Sequence, residues 1–298
     1  SKKLVPLQHC PLLVPGLNAV LKQLAQILPG PGIAPVPSEI QLQTNGDSES
    51  VLIHLKGKKP ILYTEDVLAK CRKLSLPVVG VSSDAGSEAS QAGQERLKQH
   101  VSGASFYTSG NSFIQANRYL LKKMIDQAIM LASPAADDEV LDLYCGSGFF
   151  SLPIARFVKS VLGMEGNPTA VNDAIDAAAA ESISNASFQC CDDNQFFSDQ
   201  VLKKRRFSLV IVDPPRSGIE KSVMARLVEM KPAKLLYVSC NPSTLARDLR
   251  ILNDADFRLR VVQPIDLFPH TYHLENMVFL THRYTGTQAA NQVFMDLR

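Results

Sequence analysis

Glu139-Val140-Leu141-Asp142-Leu143-Tyr144-Cys145-Gly146-Ser147-Gly148 decides the fold. Its first half is a short apolar run of the kind that forms a strand buried on both faces, and its second half is a glycine turn. A strand running into such a turn opens a nucleotide-binding βα unit. The third glycine of the dinucleotide fingerprint is missing, because Ser151 stands there, and this disfavours NAD and FAD. Gly146 and Gly148 still let the backbone approach a ligand closely.

Two acids extend this reading. Glu165 ends the next strand in Val161-Leu162-Gly163-Met164-Glu165-Gly166, placed to accept hydrogen bonds from ribose hydroxyls at the carboxyl edge of a sheet. Asp192 or Asp193, beyond a third strand, is within reach of an adenine amino group. A glycine turn alone is ordinary loop chemistry, but turn, acid and acid in this order favour S-adenosyl-L-methionine.

Outward from the turn, a helix is expected from Arg118 to Ala132, before the first strand. Further strands are expected at 160–164, 186–190, 208–212, 234–239, 257–263 and 276–281, with helices at 168–181 and 243–253 among them. Seven strands with a hairpin-like final pair read as an α/β, Rossmann-like methyltransferase sheet. Toward the N-terminus, residues 1–37 are dense in proline around a helical pattern, Leu17 to Leu28, that stops at Pro29-Gly30. Strands at 41–43, 50–55 and 76–81 and a helix at 64–74 follow, while the small polar residues of 84–95 read as an exposed loop. Residues 1–108 are thus expected to form a smaller accessory α+β domain, and 109–298 the catalytic domain.

Composition sets the bounds. At 298 residues, 45% apolar and 20% charged, the chain has the make-up of a globular protein and room for two domains. No apolar run of about 18 residues is present, so no membrane span is expected. A net charge of +2 neither advertises nor repels a polyanion. Six cysteines, at 10, 71, 145, 190, 191 and 240, are irregularly spaced without a CxxC pair or a secretory signal, which reads as a reduced, cytoplasmic protein.

Reactive chemistry is suggested by Leu236-Tyr237-Val238-Ser239-Cys240-Asn241-Pro242, where an apolar strand delivers a thiol into a helix start. Asn241 as N-cap and Pro242 at N1 place Cys240 at the positive end of that helix, which is expected to lower its pKa. Asp213-Pro214-Pro215-Arg216 ends another strand, and Glu275 closes Pro269-His270-Thr271-Tyr272-His273-Leu274-Glu275. Alone, Cys240 reads as a buried strand cysteine and Glu275 as a surface acid; together with Asp213 they supply a thiol, a base and an acidic anchor. Uracil C5 is a poor nucleophile, and its methylation needs such a set: a thiolate adding at C6 and a base removing the C5 proton.

These segments resemble the uracil-C5 RNA methyltransferases of the TrmA/RumA type. The matching stretches are Ser112–Asn117, Leu141–Gly148, Asp213–Gly218, Ser239–Asp248 and Phe268–Glu275, in family order over about residues 111–283. Within the family the likeness points to the RumA branch, which acts on large-subunit (23S) ribosomal RNA. The resemblance implies that Gln115, Tyr144, Glu165, Asp192 and Asp213 contact S-adenosyl-L-methionine, with Gly146 in the same turn, that Cys240 is the nucleophile and that Glu275 accepts the proton. Phe149 departs from the pattern, since the family usually has Asn there. The same branch carries an N-terminal TRAM domain and a [4Fe-4S] cluster held by four cysteines. Cys10 matches the last ligand and the other three have no counterpart, so this chain alone is not expected to assemble the cluster.

RNA is the expected partner, with no membrane and no obligate protein partner. Lys203-Lys204-Arg205-Arg206 is a basic run suited to phosphates, and Lys122, Lys123, Arg216 and Arg247 are further cations. With no Trp, base stacking falls to Phe268, His270 and Tyr272 around a flipped uridine. Two other readings stand beside this one: an amino-group methyltransferase using the Asp213-Pro214-Pro215 turn, disfavoured by Arg216 where that class has an aromatic, and a catalytically silent RNA-binding fragment.

Overall fold

Contacts in the computed structural model, which describes residues 7, 9–30, 32, 35–45, 50–85, 88–115, 117–191 and 205–283, divide the chain into two units. The first comprises Ser1–Gln99 with Tyr107–Ile114, and the second His100–Phe106 with Gln115–Arg298. The division is therefore interleaved between about residues 99 and 115.

In the first unit β1 (Glu39–Thr44), β2 (Val51–Lys56), β3 (Val78–Ala85) and β4 (Glu88–Gly93) form one sheet in that order. β2 and β3 are parallel, joined through the helix Thr64–Lys73, and the outer pairs are antiparallel. Burial of Ile53, Leu55, Val67, Leu68 and Val81, with the helix Pro15–Ile27 contributing Val20 and Ile27, makes its core. Each such side chain stabilises the unit by roughly 1.5–3 kcal/mol relative to exposure. The loop expected at 84–95 is instead the end of β3 and all of β4. Small residues are the reason. A Cβ at Gly80 would lie 2.0 Å from the Gln94 carbonyl oxygen, so the close pairing depends on glycine where propensity alone argues for a loop.

A second hairpin that periodicity does not announce joins β5 (Arg96–Val101) to β6 (Ala104–Ser109). Its turn residues Ser102 and Gly103 both hold positive φ, 49° and 77°, which matches the twist of a two-residue hairpin.

The second unit carries β7 (Glu139–Leu143), β8 (Ser160–Glu165), β9 (Ala186–Cys190), β10 (Leu209–Val212), β11 (Lys234–Ser239), β12 (Phe257–Ile265) and β13 (Glu275–His282). Their order is β12-β13-β11-β10-β7-β8-β9, with β13 antiparallel to both neighbours and β7 to β11 parallel. This is the seven-stranded Rossmann-like sheet with an antiparallel final pair that the strand pattern implies. Leu141, Leu143, Val210, Val212, Leu235 and Tyr237 pack on one face, and Val140, Leu209, Ile211, Leu236 and Val238 on the other. Burial on both faces explains why the parallel strands read as unbroken apolar runs. The helix Lys221–Met230, not individually expected, covers the first face with Val223, Met224 and Leu227. Strands are added outward from β7 first through β8 and β9, then on its other side through β10, so β7 and β10 flank the switch point where α/β sheets bind ligands. No helix among the described residues is long and apolar enough to cross a membrane.

Candidate active site

Sheet register brings five chain segments to one edge. β7 ends at Leu143 and passes into Tyr144; β8 ends at Glu165; β10 passes into Asp213, whose N–H donates to the Leu143 carbonyl at 3.3 Å; β11 passes into Cys240. Because β13 runs the opposite way, its first residue, Glu275, lies at this same edge. Ser239 pairs with Asn276, so the next positions outward are Cys240 and Glu275.

On the glycine-turn side, Glu165 accepts N–H bonds from Gly146 at 3.0 Å and Asn167 at 2.8 Å, one on each oxygen. Each oxygen keeps a second lone pair for a ligand hydroxyl. Gly146 has φ +54° and no heavy atom within 4 Å of where a Cβ would stand, so the turn opens onto free space. Asp142 is fully buried below it. Its Oδ2 accepts the Ser151 hydroxyl at 2.5 Å, while Oδ1 has no hydrogen-bond partner among the described residues. Burial pushes this carboxyl up to about 7 against the Ser151 hydrogen bonds, with the Glu165 charge adding to the rise. Tyr144 holds φ 62°, the left-handed region that bulky residues rarely adopt. Gln115 is half-buried two residues ahead of Asn117, whose side chain donates to the Leu267 carbonyl at 3.1 Å. Asp192 and Asp193 lie outside the described residues. Phe149 packs between Phe106 and Phe150, at centroid distances of 5.8 and 4.9 Å.

The thiol side departs from expectation in its electrostatics. Cys240 is half-buried and does precede a helix, Pro242–Asp254, capped by the Asn241 side chain, which accepts the Ser243 N–H at 3.1 Å. Its pKa nevertheless lies above the ordinary thiol value, not below it. Burial raises it, and the Glu275 and Asp213 carboxylates raise it further; Arg216 opposes them. Glu275 is 3% exposed and is pushed up to about 7 by burial. Asp213 is held well above the carboxylate range by burial, then by Glu275, Asp142 and Glu165. A helix terminus cannot outweigh this concentration of acid in a dry site. Such a cluster suits a ligand that carries positive charge: the residues present fit S-adenosyl-L-methionine, whose sulfonium and ammonium would offset the clustered carboxyls, with Gly146 and Glu165 open to its ribose.

Beyond the edge, Arg216 is exposed and lies 3.4 Å from His273 Nε2. His273 packs against Tyr272, with centroids 4.2 Å apart, and Phe268, at 6.0 Å, while Tyr272 is 90% exposed. His270 is exposed at φ 64°. Arg247 is also exposed, with its guanidinium bound to Asp248 and to the Ser217 carbonyl. In the basic run, Lys203 and Lys204 fall outside the described residues; Arg205 pairs with Glu139 and sits over Phe207, and Arg206 is exposed. Lys122 is paired with Asp126. Cys10 is half-buried in a turn held by Asn18, and no group of three or more His, Cys, Asp or Glu among the described residues could hold a metal ion. One thiol does not fit a four-thiolate cluster.

Three contributors are not announced by the sequence motifs: the buried Asp142 with its partner Ser151, His273 beside Arg216, and Asp248 beneath the 216–219 loop. For Asp142 a signal existed, since an acid inside an otherwise apolar strand is seldom buried without a task.

The family model described as tRNA (uracil-5-)-methyltransferase matches residues 69–283. The chain is 34% identical over 282 residues to the 23S rRNA (uracil(1939)-C(5))-methyltransferase RlmD of Haemophilus influenzae (strain 86-028NP), covering 94% of this chain and 64% of that protein. It is 36% identical over 291 residues to the protein of the same name from Photorhabdus laumondii, again covering 94% and 64%. It thus spans just under two thirds of these relatives' length. In fold it resembles the crystal structure of Pyrococcus abyssi tRNA (uracil-54, C5)-methyltransferase in complex with S-adenosyl-L-homocysteine, with a TM-score of 0.73 at 24% identity, covering 94% of this chain and 70% of that one.

Proposed function

From the premise that the chain belongs to the tRNA (uracil-5-)-methyltransferase family, we propose that it methylates C5 of a uridine in RNA, with 23S ribosomal RNA as the substrate, through covalent catalysis by Cys240 and Glu275. The observation that carries this reading is the placing of thiol and carboxyl side by side at the carboxyl edge by the β11–β13 register, with Asp213 on the neighbouring strand. The RNA target rests on the relatives' named substrate.

In this mechanism the Cys240 thiolate bonds to uracil C6, and the C5–C6 π electrons move out to give an enolate. Bound S-adenosyl-L-methionine supplies the electrophilic methyl group that C5 then takes. Glu275 removes the C5 proton, the C5–H electron pair re-forms the C5–C6 double bond, and the bond from C6 to sulfur breaks to return the thiolate. Glu275 must be ionised to act, and a carboxyl raised to about 7 is both ionised near neutral pH and basic enough to take a carbon-bound proton. Arg216 is the cation that offsets negative charge at Cys240. Tyr144, Gly146, Glu165, Asp213, Gln115 and Asp192 are assigned to the cofactor, and Arg216 and His270 to RNA. Arg247 is assigned to RNA as well, its exposed guanidinium being anchored by Asp248 and the Ser217 carbonyl.

The test is incubation with 5-fluorouridine-substituted rRNA fragments and S-adenosyl-L-methionine. Fluorine cannot leave as a proton does, so the reaction should stop at a covalent protein–RNA complex that survives denaturation. Cys240→Ala should abolish the complex. A complex that still forms with Cys240→Ala, or none in protein that binds both ligands, would overturn the mechanism.

A further inference from the structure

The helix that follows Cys240 holds the loop that follows Asp213, and one buried carboxylate makes the hold. Asp248, 1% exposed, accepts the Ile219 N–H at 2.9 Å and the Tyr237 hydroxyl at 2.7 Å on Oδ2. On Oδ1 it takes Arg247 Nε at 2.8 Å and a terminal guanidinium nitrogen at 2.7 Å. The same guanidinium donates to the Ser217 carbonyl at 3.0 Å. One turn earlier, the Asn241 side-chain amide and the Thr244 hydroxyl both donate to the Arg216 carbonyl, at 2.9 and 3.2 Å. The carbonyls of Arg216 and Ser217 and the N–H of Ile219 are therefore all bound by a single helix.

Nothing else fits in this contact. Gly218, at φ +81°, lies where a Cβ would come within 2.4 Å of the Arg247 guanidinium and 2.6 Å of Asp248 Oδ2. Tyr237 brings in the third element, because it lies on β11 three residues before Cys240 and pairs with Val212, the residue before Asp213. Its hydroxyl is kept protonated by burial and by the Asp248 charge, so it remains a donor. A buried carboxylate is costly unless its lone pairs are filled; here they are filled by groups from the loop, the strand and the helix.

We infer that Asp248 is a positioning residue for the reaction. By clasping the Arg216–Ile219 loop to the nucleophile's own helix and strand, it sets where the Arg216 guanidinium and the Asp213 carboxyl stand relative to Cys240. This rests on the covalent reading above for its consequence in catalysis, but the geometry stands independently of it. Arg216 is the cation that favours the Cys240 thiolate, so a loop that drifts takes that support with it.

The experiment uses Asp248→Asn in the full chain, with Tyr237→Phe as a milder second variant should the first fail to fold. Circular dichroism and a cooperative thermal transition establish that a variant is folded. The folded variant should form the covalent complex with 5-fluorouridine RNA about a hundred-fold more slowly at saturating RNA, the scale expected when reacting groups are displaced by about 1 Å. Its KM for RNA should change far less. Rate constants equal to those of the unsubstituted protein would overturn the inference, whatever the change in melting temperature. If the unsubstituted protein forms no complex at all, the covalent reading fails, and the clasp is judged by Cys240 alkylation followed by mass spectrometry. There the pH at half-maximal rate should rise in the variant, and an unchanged profile would refute the clasp.

Discussion

Ser239 of β11 pairs with Asn276 of β13, and the antiparallel direction of that pair sets Cys240, leaving one strand, beside Glu275, entering the other. A parallel neighbour would have presented its C-terminal residue here and sent its first residue to the far edge of the sheet. The reversed strand thus allows two residues 35 positions apart in sequence, 275 − 240, to meet at one reaction edge. Its consequences can be measured.

Glu275→Gln keeps the shape of the site and removes the proposed base. Addition and methyl transfer do not need that base, but release of the enzyme does. Unmodified substrate RNA should therefore accumulate as a covalent complex on a denaturing gel, while turnover falls by about 10²–10⁴-fold. Loss of turnover without any trapped complex would argue for a different base.

The pH dependence has a definite sign. Burial raises Glu275 from its ordinary value of 4.5 to about 7, so the folded state holds this proton where the unfolded state has lost it. The stability it contributes is complete below about pH 4.5 and is lost as pH rises through about 7. Glu275→Gln should therefore flatten the decline in melting temperature across that window. Turnover runs the other way, rising through about pH 7 as the base ionises, and a flat turnover profile there would contradict the assignment.

Gly146→Ala places a methyl group in open space at φ +54°. The left-handed conformation should cost about 1–2 kcal/mol of folding stability. If the cofactor's ribose meets this turn as proposed, S-adenosyl-L-homocysteine affinity measured by calorimetry should fall as well. Unaltered affinity would move the cofactor away from this turn.

Gly163→Ala tests the sheet itself. A Cβ there would lie 2.5 Å from Phe188 Cδ1 and 2.8 Å from Cys145 Sγ, both on strands or turns flanking β8. Overpacking of this kind costs about 1–3 kcal/mol, read as a lower urea midpoint with an unchanged slope. A wild-type midpoint would mean that the aromatic ring turns aside freely.

Much of the catalytic unit was legible because its determinants are local. Apolar runs such as Leu209–Val212 and Leu235–Val238 are buried on both faces and announce parallel strands directly; Gly146 and the Asn241-Pro242 helix start are equally local signals. Less was legible in the first unit, where β4 is built from Glu, Ala, Ser, Gln and Gly and forms because its neighbour, β3, offers it a ladder.

The order of the candidate reactive groups is written in the sequence, since thiol, glycine turn and acids sit in short motifs whose strand-end positions follow from hydrophobic patterning. Their energetics and supports emerge only once the chain is folded. Cys240 carries a raised pKa in place of the lowered one its helix start implied, because Glu275 and Asp213 come from distant segments that share its dry edge. Arg247, a free cation on paper, is bound to Asp248 and Ser217. Charges act through space and burial, and neither is written in the residues adjacent along the chain.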